Sequence, residues 1–161
     1  MRIRPAEQRD RNAIAAILIP VIRAGRTYAL DPAMREAEAL AFWLSPDKAV
    51  FVAEDEEGRV LGTYFLRTNQ AGGGAHVCNC GYMTAPEAQG RGIARAMAEH
   101  SFAEARARGY RAMQYNFVVS TNESAVRLWQ SLGFEIVGRL PEAFRDPAAG
   151  YVDALVMFRA L

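Results

Sequence analysis

Cysteine and histidine are scarce in this chain of 161 residues: Cys78 and Cys80 are the only thiols, His76 and His100 the only imidazoles. Thiols two positions apart are too close for an unstrained disulfide along one strand, and two are too few for a secreted scaffold. With His76 they spell H-x-C-x-C, which period-two alternation would place on one face of a strand. A structural zinc site needs a fourth ligand and usually a wider spacing, and His100 falls within a predicted helix, so no metal is expected. Small buried cysteines are expected instead. Net charge is also lacking: at +1 the chain has no field to steer it to nucleic acid. No apolar run approaches the roughly 20 residues that cross a bilayer. The start, Met1-Arg2-Ile3-Arg4-Pro5, alternates like a strand and lacks the apolar stretch of a signal peptide. No linker-like stretch divides the chain, so one domain, residues 1–161, in the cytoplasm is the expectation, with neither nucleic acid nor membrane as partner.

What the chain does have is Gln89-Gly90-Arg91-Gly92-Ile93-Ala94, placed between an apolar strand-like run and a strongly helical one. Two glycines permit a tight turn and leave the amides bare, and a helix starting at Ile93 adds free N–H groups and the positive end of its dipole. That is an anion site suited to phosphate or pyrophosphate. The Lys-Ser/Thr pair of a nucleotide-hydrolysing loop is absent, since Ile93-Ala94 stand there. The third glycine of a dinucleotide fingerprint, and its early position in the chain, are absent too.

Strand signals lie at residues 2–4, 49–55, 60–68, 75–84, 112–119, 135–139 and 151–159. Helical spacing covers 10–23, 34–44, 92–108 and 122–132, with Gly109 and Gly133 as stops. The order β-α-α-β-β-β-α-β-α-β-β gives an α/β (α+β) fold with a mixed, mostly antiparallel sheet of about seven strands and about four helices. The lone helix between the fourth and fifth strands implies a single parallel pair.

Tyr82-Met83-Thr84, Pro86, the glycine loop, and Asn122-x-x-Ala125-x-x-Leu128-Trp129-x-x-x-Gly133-Phe134 together resemble the GCN5-related N-acetyltransferases (GNAT superfamily). The resemblance covers most of the chain. It implies that strands 4 and 5 splay apart, that Gln89, Gly90, Arg91, Gly92, Ile93 and Ala94 bind the acetyl-CoA pyrophosphate, and that the backbone of Tyr82, Met83 and Thr84 pairs with the pantetheine arm. By the same resemblance Asn122 and Trp129 border the cofactor, and the amide near Met83 polarises the thioester carbonyl. Arg91 and Arg95 would add charge toward the ribose phosphate. Asn122 also suits the N-cap of the next helix.

Two departures stand out. The family often places a tyrosine where Trp129 stands, to protonate the departing thiolate, and an indole is not a practical proton donor. The fourth strand carries no glutamate to act as base; Asn79 stands in it instead, and Asn116 in the fifth strand. Asparagine is disfavoured in apolar strands and costly when buried unpaired, which makes both candidate catalytic contacts. Asn79, Asn116, Asn122 and the tail Gly150-Tyr151-Val152-Asp153-Ala154 are similar to fungal acetyltransferases that detoxify proline analogues such as azetidine-2-carboxylate.

The expected reaction is acetyl transfer from acetyl-CoA to the amine of a small molecule, an amino acid or analogue, by direct attack in a ternary complex. Cys78 and Cys80 lack a basic activator other than His76 for a covalent route. Proton removal would fall to water, or less favourably to His76. Residues 24–33 and a loop at 141–150 would cover the acceptor. A protein or peptide acetyltransferase and a non-catalytic acyl-CoA sensor are the alternatives, and self-association as a homodimer is left open.

Overall fold

The computed structural model describes residues 1–161, whose strands form one seven-stranded sheet in the order β1-β2-β3-β4-β5-β7-β6. The strands are β1 (Arg2–Pro5), β2 (Ala49–Glu54), β3 (Val60–Thr68), β4 (Val77–Thr84), β5 (Ala112–Val119), β6 (Glu135–Asp146) and β7 (Gly150–Ala160). The helices are α1 (Arg11–Ala24), α2 (Glu36–Trp43), α3 (Ile93–Ala107) and α4 (Glu123–Ser131). Only β4 and β5 run parallel, because α3 alone provides a crossover long enough to return the chain in the same direction.

Alternation along β3 sorts the helices. Gly62 lets Met97 and Ile93 of α3 lie against the strand, and Tyr64 bonds His100 of the same helix at 2.7 Å. Thr63 and Phe65 point the other way, to α2: Trp43 Nε1 donates to Thr63 Oγ1 at 3.0 Å, and that hydroxyl donates to the Phe51 carbonyl at 2.9 Å. The buried Thr63 hydroxyl is thereby satisfied, and the Trp43 and Phe65 rings meet edge to face at 4.9 Å. α3 buries Ile93, Met97, Ala98, Ser101, Phe102 and Ala105, a stripe at helical spacing, and so seals the opposite face.

At the sheet's first edge Arg4 is buried with two carboxylates. Its guanidinium donates to both Asp10 oxygens, at 2.8 and 3.0 Å, and to Glu54 at 2.9 Å. The Arg4 bonds hold the Asp10 carboxyl below its ordinary range.

Two expectations change. His76 lies exposed in the turn before β4, whereas Cys78 and Cys80 are buried within it, so the H-x-C-x-C residues do not share a strand face. Residues 141–150 are largely strand rather than loop, because β6 runs on to Asp146. It bulges between Leu140 and Phe144, where Glu142 takes φ 50°. Asp153 stitches the bulge, accepting from the Glu142 amide at 2.9 Å and from Arg139 at 2.7 Å. A bulge also tolerates Pro141, which has no amide to give the ladder.

Candidate acetyl-transfer site

β4 and β5 are paired only at Val77↔Ala112 and Cys78↔Met113, after which they diverge. Through the fork runs one cavity of about 960 Å³. Every candidate cofactor and substrate residue named above lines it except Arg91, which faces a separate depression beside the β2–β3 turn. His76 does not line it.

The direction of the main chain along β4 decides which groups the fork leaves open. The Ala85 amide donates to Leu61 of β3 at 2.8 Å, and the Val77 carbonyl accepts from Asn69 at 2.9 Å. Antiparallel alternation then turns residues 79, 81 and 83 toward β3, and Cys80, Tyr82 and Thr84 toward the gap. The Met83 amide is therefore spent on β3; the gap-facing amide beside it belongs to Tyr82. Without the register, the sequence could not distinguish the two.

At one end of the cavity Gly90 and Gly92 adopt φ of 75° and 77°, and a Cβ on either would meet no atom within 4 Å. Gly92 caps α3 and no side chain bonds its first amides. This end thus offers bare N–H groups and a helix dipole to an anion. Arg95 reaches across to α4, bonding Ser131 Oγ at 2.8 Å. Asn122 occupies the N-cap position of α4, yet its side chain makes no capping bond.

Between the two ends lies an aromatic wall. Trp129 packs against Tyr82 and Tyr115 with ring centroids 5.2 and 5.0 Å away. Tyr115 donates to the Tyr82 hydroxyl at 3.0 Å, Tyr82 lies 2.7 Å from Ser101 Oγ, and Ser101 donates to the Ala98 carbonyl at 2.7 Å. Burial pushes both tyrosines and the Cys80 thiol well above their ordinary pKa values, so all three are uncharged at neutral pH. A neutral, enclosed thiol is a poor nucleophile.

The other end is a chain of amides. Asn79 Nδ2 donates to the Gln114 carbonyl at 2.9 Å and so stitches the fork where backbone pairing stops. Gln114 Nε2 donates to Asn116 Oδ1 at 2.9 Å, and Asn116 Nδ2 donates to Asn69 Oδ1 at 2.7 Å. Because the Gln114 carbonyl can only accept, Asn79 must present its Oδ1 away from that bond. Asn116 stands in a β5 bulge between Tyr115 and Val118, which re-aims its side chain.

Tyr28, in the segment between α1 and α2, lines the cavity and donates to the Tyr82 carbonyl at 2.9 Å. It can reach that carbonyl because residue 81 is glycine: a Cβ there would come within 3.0 Å of the Tyr28 hydroxyl and 2.5 Å of the Phe65 ring. Thr27 to Leu30 line the cavity and no residue of 141–150 does. The β6–β7 hairpin instead braces that segment through Arg26 and Asp146, 3.5 Å apart. Asn69, Gln114, Tyr115 and Tyr28 were not evident from sequence, because none stands in a local motif and their partners are distant in the chain.

A sheet forked beside a glycine loop that caps a helix defines a class of acyl-transfer protein, and the sequence comparisons agree. The acetyltransferase (GNAT) family pattern matches residues 20–134, and the chain belongs to this family; it is an acetyltransferase. It is 30% identical to N-acetyltransferase aca1 of Schizosaccharomyces pombe over 152 residues, spanning 84% of this chain and 72% of that protein. A GCN5-related N-acetyltransferase from Kribbella flavida is 42% identical, superposes with a TM-score of 0.95, and covers 99% of this chain and 97% of its own. The same fold occurs, at 23% identity and a TM-score of 0.86, in a phosphinothricin acetyltransferase from Sinorhizobium meliloti solved in complex with acetyl-CoA, with 99% of this chain and 88% of that one covered.

Proposed function

We propose that residues 1–161 form one catalytic domain that transfers the acetyl group of acetyl-CoA to the amine of a small molecule by direct attack. The observation that carries this is the cavity: it is continuous from the bare glycine loop to the amide chain, and Tyr28 walls it while bonded to the Tyr82 carbonyl. The wall that Thr27 to Leu30 add to this cavity supports a small acceptor over a peptide.

The residues present fit the cosubstrate. Gly90, Gly92 and the first amides of α3 would take the pyrophosphate, and the Thr84 amide the pantetheine arm. When bound, acetyl-CoA supplies an acetyl thioester. The Tyr82 amide polarises the acyl oxygen, and Asn79 Oδ1 accepts a hydrogen bond from the incoming amine. Asn116 positions that contact through Gln114, so proximity and orientation provide much of the acceleration. No carboxylate lines the cavity, so the amine sheds its proton to water. The thiolate leaves readily near neutral pH, with its proton also from water, and Trp129 serves as wall rather than acid. Both cysteines are buried and uninvolved.

No helix is long and apolar enough to cross a membrane; two cysteines are too few for the disulfide framework of a secreted scaffold, which favours the cytoplasm. β6, the outer strand, exposes Ile136, Val137 and Leu140, which favours pairing with a second copy there. The reading is tested by acetyl-CoA turnover with amino acids, other small amines and peptides. Turnover of peptides alone sinks the small-acceptor reading, and acetyl-CoA binding with no turnover favours a sensor.

A further inference from the structure

Only two charged side chains line the cavity, and both are cationic: Arg95 at the cofactor end and Arg67 at the acceptor end. Arg95 is occupied by Ser131. Arg67 is not so occupied: its Nε is buried without a hydrogen-bond partner. Its nearest carboxylate, Asp47, stands 3.9 Å from Nη1 and accepts from Ser45 Oγ at 2.5 Å. The rest of the guanidinium is open: the side chain is 36% exposed and lines the cavity, where its N–H groups can donate to an anion. Lys48, with its ammonium 3.7 Å from the centre of the cavity-lining Phe42 ring, adds positive charge at this end.

Arg67 is the direct cross-strand partner of Asn79, and such partners project side by side from one face of the sheet. An anion acceptor and an amine acceptor site thus lie one strand apart. The planar fork of arginine matches a carboxylate, which takes two parallel hydrogen bonds. We infer that the acceptor is a small amino acid whose carboxylate seats on Arg67 while its amine is held at Asn79. Polyamines and aminoglycosides bring no carboxylate for Arg67, and no carboxylate lines the cavity to receive their extra ammonium groups. This rests on the small-acceptor reading above.

The test compares kcat/KM for amino acids against their own amides, which keep the amine and side chain but lose the anionic carboxylate, each corrected to free-amine concentration. The wild-type protein should favour the acid by roughly ten- to a hundredfold. Arg67→Gln should bring that ratio to within a few-fold of one, and Arg67→Lys should retain part of it. Calorimetry with acetyl-CoA should give wild-type affinity for both variants, reporting an intact cofactor end. Equal use of acid and amide by the wild-type protein, or an undiminished preference in Arg67→Gln, overturns the inference but leaves the small-acceptor reading standing. Acetylation of peptides with no small amine turned over overturns both.

Discussion

Gly92 offers a separation between strain in the backbone and loss of a ligand contact. Its φ of 77° is unfavourable for any L side chain, but a Cβ there meets no protein atom within 4 Å. Gly92→Ala should therefore cost only the left-handed penalty, about 1–2 kcal/mol, which lowers the thermal midpoint by roughly 2–8 °C in a chain of this size. Gly109, past the far end of α3, is a matched control: its φ is 85° and a Cβ there also meets nothing within 4 Å. Gly109→Ala should melt with a similar decrement. The two should part in calorimetry. A methyl group on the path of the pyrophosphate removes about 1.5–3 kcal/mol of charge-assisted amide contact, so acetyl-CoA should bind Gly92→Ala roughly ten- to a hundredfold more weakly and Gly109→Ala normally. Gly92→Glu, which adds repulsion, should abolish binding. If folded Gly92→Ala binds acetyl-CoA as Gly109→Ala does, the pyrophosphate does not sit at this loop.

Asn116→Ala should lower kcat/KM by roughly ten- to a hundredfold while acetyl-CoA affinity barely changes; because the side chain also holds Asn69 and Gln114, it should melt earlier too, and normal kinetics in the folded fraction would leave it a purely structural part. Trp129→Phe should keep most activity, since no proton is asked of the indole; a large fall in kcat with cofactor affinity intact would show the opposite. Asp10 is held below the ordinary carboxylate range by Arg4, so its contribution to stability is present above about pH 4 and lost as pH falls through that value toward the depressed one. Denaturant midpoints from pH 7 to pH 2 should accordingly fall less steeply in Asp10→Asn than in wild type, and an unchanged acid limb would refute the assignment.

The parts legible in sequence are those written locally. The element order follows from apolar periodicity and from stops such as Gly109 and Gly133, and the loop at Gly90 and Gly92 is set by the backbone it requires. The end of β6 was hidden because most of that outer strand is exposed and shows no alternation, and because its bulge is held by Asp153 from another strand. The asparagines were visible as residues out of place in apolar strands. Their partners were not, since Asn69 meets Asn116 only through the fold and Asn79 finds Gln114 only where the strands part. Which amide near Met83 faces the gap was hidden for a related reason: a strand pattern tells which side chains share a face, but the edge its amides serve depends on a register set by β3.

The fork also leaves the sheet short of one ladder. Beyond Cys78 and Met113 the inner edges of β4 and β5 face each other without exchanging backbone bonds, and of the carbonyls β4 turns to this gap Tyr82's is claimed, by Tyr28. The cosubstrate would then act as a missing strand, and the folded state would remain incomplete until it arrives. Amide protons at Tyr82 and Thr84 should trade with solvent deuterium far faster in the free protein than in the complex, while those at 81 and 83, locked to β3, should be slow in both. Saturation to a hundred times Kd would add about 2.7 kcal/mol to global stability. In a cell, the fraction of this protein that survives unfolding and proteolysis would thus follow the local supply of acetyl-CoA.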